Sequence, residues 1–173
     1  TDRFTNYRSS ENDNTTLSSN SITDLIETDD GFIWVATTNG LNKLDWQTGK
    51  VKRLYPFSSH ENPSASNQIY ALAKDNVENV WLATSAGLHK IKDGALDKSY
   101  FATDRFYSIA FGAGAIWSVS TKLKVVKIDK KGSSNIELSN IPTSSIYRLE
   151  FLSEQLWMGT SNNQYAHCDI KTH

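Results

Sequence analysis

Thr23, Tyr70, Tyr107 and Tyr147 stand at matching places in a repeated pattern and are the foremost candidates in this chain for contact with a ligand. Each directly follows an apolar residue, Ile22, Ile69, Phe106 or Ile146, that reads as the anchor of a short strand. Three phenols and a hydroxyl can offer ring faces for stacking together with donors and acceptors for hydrogen bonds. Polar neighbours extend the set: Gln68 and Arg105 stand just before an anchor, Asp24 and Arg148 two residues after one. Such a ring suits a small organic or sugar-like ligand and calls for no cofactor. Tyrosines packed between sheets with tethered hydroxyls would show the same spacing, so both readings stay open. Burial of Tyr70, Tyr107 and Tyr147 away from a shared opening would exclude the ligand.

Other chemistries find less support. His60, His89, His167 and His173 have no metal-ligand spacing. Gly112-Ala113-Gly114 reads as a tight turn, because no helix follows it to make a phosphate cradle. Asp29-Asp30-Gly31 lacks the alternating oxygen ligands and distal glutamate of a calcium loop. Cys168 is the one cysteine, so no internal disulfide forms, and it reads as a small buried hydrophobe. Asp24 and Arg148 are the one charged pair to propose for acid–base work, a thin basis for an enzyme. Eighteen basic and nineteen acidic residues leave a net charge of −1, which supplies no basic face for nucleic acid. No apolar run approaches the ~18 residues of a membrane span. The chain opens on Thr1 rather than Met, which reads as a piece of a longer protein.

The elements that must position these residues recur. Gly31 to Asp45 reads as a strand, a turn at Asn39-Gly40 and a second strand, and Asn79 to Ile91 writes it again. Weaker copies surround Trp117 and Trp157, so Trp34, Trp81, Trp117 and Trp157 mark a period of roughly 40 residues. Each full repeat holds four strand signals separated by Asp-Gly, Asn-Gly or Gly-x-Gly turns, the last repeat reads only to its third strand, and no helical periodicity appears. The fold class is all-β: a β-propeller of about four blades, each of four antiparallel strands. The repeats run over 18–57, 65–102, 103–141 and 142–173 in one domain, with 1–8 as the outer strand of a preceding or closing blade. Each tryptophan is expected to fill the wedge between adjacent blades, and Thr37, Thr84, Ser120 and Thr160 to bond near the following turn. A closed four-blade ring and an arc of a larger ring both fit this count.

The run Leu17-Ser18-Ser19-Asn20-Ser21-Ile22, Asp29-Asp30-Gly31-Phe32-Ile33-Trp34-Val35-Ala36-Thr37 and Gly40-Leu41 resembles the two-component regulator propeller repeat. The second repeat matches at Asn67, Ile69, Asp75, Trp81, Thr84, Gly87 and Leu88, whereas the third and fourth put Lys122-Leu123 and Asn163-Gln164 in place of Gly-Leu. The resemblance implies an arc of a larger propeller in the periplasmic sensor region of a bacterial receptor. It further implies a non-catalytic domain that passes a signal to a cytoplasmic histidine kinase or diguanylate cyclase in a membrane-anchored parent. Self-association through open blade edges would relieve exposed faces. Two alternatives stand beside this reading: an interaction scaffold that uses loops 9–20 and 58–68, and a propeller lyase or glycosidase.

Overall fold

A strand with tryptophan near its centre, closed by a hydroxyl that grips the next turn, is the unit from which the chain is built. Thr37 Oγ1 donates to the Gly40 carbonyl at 3.0 Å and accepts from the Asn39 amide at 3.1 Å. Thr84 repeats both bonds with Gly87 and Ala86 at 3.0 Å each. Ser120 accepts from the amides of Lys122 and Lys124, and Thr160 donates to the Gln164 carbonyl at 2.9 Å. The turn also needs its glycine. Gly87 has φ +112°, and a Cβ there would lie 2.6 Å from the Tyr100 carbonyl oxygen, so any side chain would be strained and obstructed at once.

The computed structural model describes residues 4–57, 67–136, 146–161 and 164–170. The first sheet holds β1 (Ile22–Glu27), β2 (Ile33–Thr37), β3 (Gly40–Asp45) and β4 (Lys50–Leu54). The second holds β5 (Ile69–Lys74), β6 (Val80–Thr84), β7 (Gly87–Lys92) and β8 (Ala95–Tyr100). The third holds β9 (Phe106–Gly112), β10 (Ala115–Ser120), β11 (Val125–Asp129) and β12 (Gly132–Ile136). The fourth holds β13 (Ile146–Leu152), β14 (Gln155–Thr160) and β15 (Tyr165–Asp169). Each strand pairs antiparallel with its neighbours in sequence, which is the up-and-down meander of a propeller blade.

Blades stand side by side through their inner strands: β1 packs on β5, β5 on β9, and β9 on β13. No comparable packing joins β13 back to β1 among the described residues. Among the described residues the four blades form an open run.

Between successive blades lie three apolar clusters. Trp34, Ala36, Leu41 and Leu54 of the first blade meet Ile69, Leu72, Val80, Leu82 and Ile91 of the second. Trp81, Ala83 and Leu88 meet Phe106, Ile109, Ile116 and Ile128; Trp117, Val119 and Val125 meet Ile146, Leu149, Leu156 and Met158. Trp34, Trp81 and Trp117 are all buried, each with its indole N–H satisfied. Trp34 donates to Thr28 Oγ1 at 3.1 Å, Trp81 to Asp75 Oδ2 at 3.0 Å, and Trp117 to the Gly112 carbonyl at 2.9 Å. Trp157 departs from the expectation. No described blade covers its face, so it is only half-buried, stacked on His167 at 4.8 Å.

The N-terminal segment is a second departure. Residues 4–8 form no strand; Tyr7 and Leu17 pack on Val35, Leu44 and Val51 of the first blade. The loop 9–20 is gripped by Arg53, which donates to the carbonyls of Ser10, Asp13, Thr16 and Leu17 at 2.7–2.9 Å. Cys168 sits half-buried against the third cluster, where burial first and the Asp169 charge second push its thiol up. His60, His173 and most of the loop 58–68 lie outside the described residues. Among the described residues, no helix is long and apolar enough to cross a membrane.

The difference between wedged and open tryptophans is measurable. Trp81→Ala removes a buried ring and is expected to cost about 3–5 kcal/mol. Trp157→Ala, at a half-covered site, is expected to cost less than half of that. Urea unfolding of the two variants checks the ranking, and equal losses would contradict it.

Candidate functional site

The four ring residues are all bulge residues. In β1, Ile22 pairs with Thr37 and Asp24 with Ala36, so Thr23 faces no partner. Likewise β5 pairs Ile69 with Thr84 and Ala71 with Ala83, skipping Tyr70. In β9, Phe106 pairs with Ser120 and Ser108 with Val119, skipping Tyr107; in β13, Ile146 pairs with Thr160 and Arg148 with Gly159, skipping Tyr147. One extra residue at the same place in each inner strand re-aims its side chain out of the pleat. The anchor before it stays in the blade interface, since Ile69, Phe106 and Ile146 are buried.

All four re-aimed side chains line one cavity of about 550 Å³, together with Val119, Ser120, Thr121, Leu123 and Ile146. That volume lies within the range of small-molecule sites. Tyr70 and Tyr107 are half-buried, and Thr23 and Tyr147 are exposed at the rim. Tyr70, Tyr107 and Tyr147 are thus open to this cavity rather than fully enclosed between sheets.

Hydrogen bonding orders the cavity. Tyr70 and Tyr107 meet edge to face, with ring centroids 4.7 Å apart and planes at 73°, a favoured arrangement of the ring quadrupoles. The Tyr70 hydroxyl donates to Gln68 Oε1 at 3.0 Å, which leaves its oxygen able to accept. Arg105 donates to the Tyr107 oxygen at 3.4 Å, so the Tyr107 proton is free to be donated elsewhere. Thr23 Oγ1 donates to the Ile69 carbonyl at 2.7 Å and so ties the first blade to the second. Burial pushes the Tyr70 phenol above its ordinary value; the Arg105 charge pulls the other way and Tyr107 adds to the rise.

Asp24 and Arg148 fall elsewhere. Both line a separate cavity of about 310 Å³ along the inner strands, with Lys74 and Glu150. Asp24 accepts the Leu72 amide at 2.8 Å and its neighbour Leu25 at 2.9 Å, and Arg148 is paired with Glu150 at 2.6 Å. Asp24 therefore clasps two blades, as Ser108 does by accepting the Leu149 amide at 2.8 Å. Among the described residues no three metal-ligating side chains converge.

Residue-level reasoning missed the apolar side of the cavity. Ser120 to Leu123 form a turn in which the Leu123 amide donates to the Ser120 carbonyl at 2.9 Å and Leu123 has φ 58°. Thr121 N–H fastens this turn to the Arg105 carbonyl at 2.9 Å. The signal was the third repeat's exchange of Gly-Leu for Lys122-Leu123, which places a leucine beside the tyrosines.

Sheets of this form, set side by side through inner strands that line a shared cavity, define a β-propeller. Residues 16–39 match the family model described as the two component regulator propeller, on the first repeat, where the residues carry that resemblance. No curated protein matches the chain. Among solved structures, the extracellular domain of a hybrid two component system from B. thetaiotaomicron superimposes with a TM-score of 0.73 at 19% identity, over 96% of this chain and 23% of that one. Virginiamycin B lyase from Staphylococcus aureus gives 0.64 at 18% identity, over 92% of this chain and 59% of that one. The computationally designed Ika4 protein gives 0.65 at 16% identity, over 91% and 98%. The chain thus spans less than a quarter of the two component system domain and nearly all of the designed protein. At these identities the likeness concerns the fold.

The Tyr70 environment has a pH signature. A raised folded value means that its contribution to stability is whole below the ordinary pKa of 10.0 and is lost as the pH rises through the raised value. Ultraviolet titration should show a late-ionising phenol that disappears in Tyr70→Phe. A late phenol that persists in that variant would place the buried hydroxyl elsewhere.

Proposed function

We propose that this chain is a non-catalytic sensor-type domain that reads a small ligand at the cavity formed by Thr23, Tyr70, Tyr107 and Tyr147. The observation that carries the reading is the set of four bulges in register, which sends three phenols and a hydroxyl into one opening. Bulges that re-aim side chains are a recurring device beside functional sites. The lining offers ring faces, an apolar side from Val119, Leu123 and Ile146, one poised acceptor and one poised donor. That combination suits a small ring-shaped or polyhydroxylated molecule, sugar-like in its mix of apolar face and hydroxyls. Arg105 at the rim tolerates an anionic substituent better than a cationic one.

The match at 16–39 and the likeness to extracellular domains of hybrid two component systems support an extracytoplasmic setting and a signalling role. In that reading the parent protein is membrane-anchored, and the signal passes to a kinase or cyclase by differential affinity of the ligand for two arrangements of the receptor. The likeness to a lyase raises the enzyme reading. It is weaker because no described residue lining the cavity is a carboxylate or histidine able to move a proton.

Thermal shift against a panel of mono- and oligosaccharides and small hydroxylated acids tests the proposal. A ligand at a hundred times its Kd stabilises the native state by about 2.7 kcal/mol. Tyr107→Ala is expected to weaken that ligand about tenfold or more. No response across the panel, or a response unchanged in Tyr70→Ala and Tyr107→Ala, would remove the site.

A further inference from the structure

The outward face of the fourth blade breaks the pattern of the three before it. Opposite the tryptophan, the inner strand carries Ile26, Ala73 and Ala110 in the first three blades, and each is covered by the next blade. The fourth blade puts Glu150 there, two residues after Arg148. The two form an ion pair at 2.6 Å with 65% of the Arg148 side chain and 46% of the Glu150 side chain exposed. On the third strand, Leu41, Leu88 and Val125 are fully buried, and their counterpart Tyr165 is 75% exposed. Lys43, Lys90 and Lys127, opposite the first three tryptophans, give way to His167. Tyr165, Trp157 and His167 make a row of rings, with centroids 5.9 and 4.8 Å apart and planes inclined by 30° and 28°. Trp, Tyr and Arg gathered on an exposed face are the residues that dominate binding energy at protein interfaces.

A second copy of the chain can meet this face in two ways. Head to tail, it would offer the open face of its first blade, where Ile22 is 43% and Leu25 60% exposed. That arrangement lays Arg148 and Glu150 on aliphatic side chains, and the desolvation of an ion pair against carbon exceeds its return. Face to face about a two-fold axis, Arg148 of one copy meets Glu150 of the other and the reverse, and the ring rows stack on each other. An adjacent Arg–Glu pair is its own complement under that symmetry.

We infer that the outward face of the fourth blade is an isologous contact between two copies of this chain, anchored by Trp157 and Tyr165 and set in register by Arg148 and Glu150. The inference is independent of the ligand site on the inner strands.

Sedimentation equilibrium of the 173-residue chain is expected to show a dimer. Arg148→Glu places like charges across the two-fold and should weaken the dimer about tenfold or more. The double change Arg148→Glu with Glu150→Arg restores self-complementarity and should restore the dimer. The Arg148 side chain is exposed and that of Glu150 half-buried, and circular dichroism should show every variant folded. A spin label at His167→Cys, with Cys168→Ser, should report a short distance between copies, and one at Leu25→Cys a long distance. A monomer at all concentrations, a dimer indifferent to Arg148→Glu, a double change that fails to restore it, or short distances at Leu25 would each overturn the assignment.

Discussion

A four-stranded sheet with apolar side chains on both faces can bury them only by standing between two others, and everything else in this molecule follows from that constraint. The sheet twists, so neighbours meet as wedges, and an indole is large enough to fill the gap. Trp34, Trp81 and Trp117 fill it, with their N–H groups passed to Thr28, Asp75 and Gly112 so that burial leaves no donor unmatched. The same demand explains the N-terminal segment. Tyr7 and Leu17 cover the outer part of the first blade's open face, in the way that Phe57 joins the cluster before the second blade.

Packing at the interface and access at the cavity are reconciled by a single inserted residue. The inner strand must bury its anchor against the preceding blade and also present a side chain at the opening. A regular strand alternates faces and cannot do both with adjacent residues. The bulge after Ile69, Phe106 and Ile146 does so, and the clasps at Asp24 and Ser108 hold the strands at the spacing that keeps the bulged side chains at one opening. Thr23 links the two roles, because its hydroxyl is at the cavity and bonded to the Ile69 carbonyl of the following blade. A ligand that engaged it would bear directly on a blade-to-blade contact.

The repeat was legible because packing writes it in large residues: Trp, Thr and Gly recur at fixed offsets, and the strands fall where they indicate. Thr23, Tyr70, Tyr107 and Tyr147 were legible for the same reason, as whatever follows the anchor. Their bulged geometry was not, since a bulge is a count of partners across a ladder and leaves no residue type behind. Asp24 and Arg148 misled because the residue directly after the bulged one returns to the tryptophan face of its blade and not to the opening. The half-burial of Trp157 was equally hidden: the residue is the same as in the other blades, and only the neighbour differs.

The central claim is that the bulges bring the tyrosines of successive blades together at one opening. Nuclear Overhauser contacts in the chain with isotope-labelled tyrosine rings test this most directly. The account predicts contacts between the Tyr70 and Tyr107 rings, and from the cavity tyrosines to the methyl groups of Leu123 and Ile146. Rings that instead contact Ala73, Ile109 and Ile116 inside the blade interface, and not each other, would contradict it.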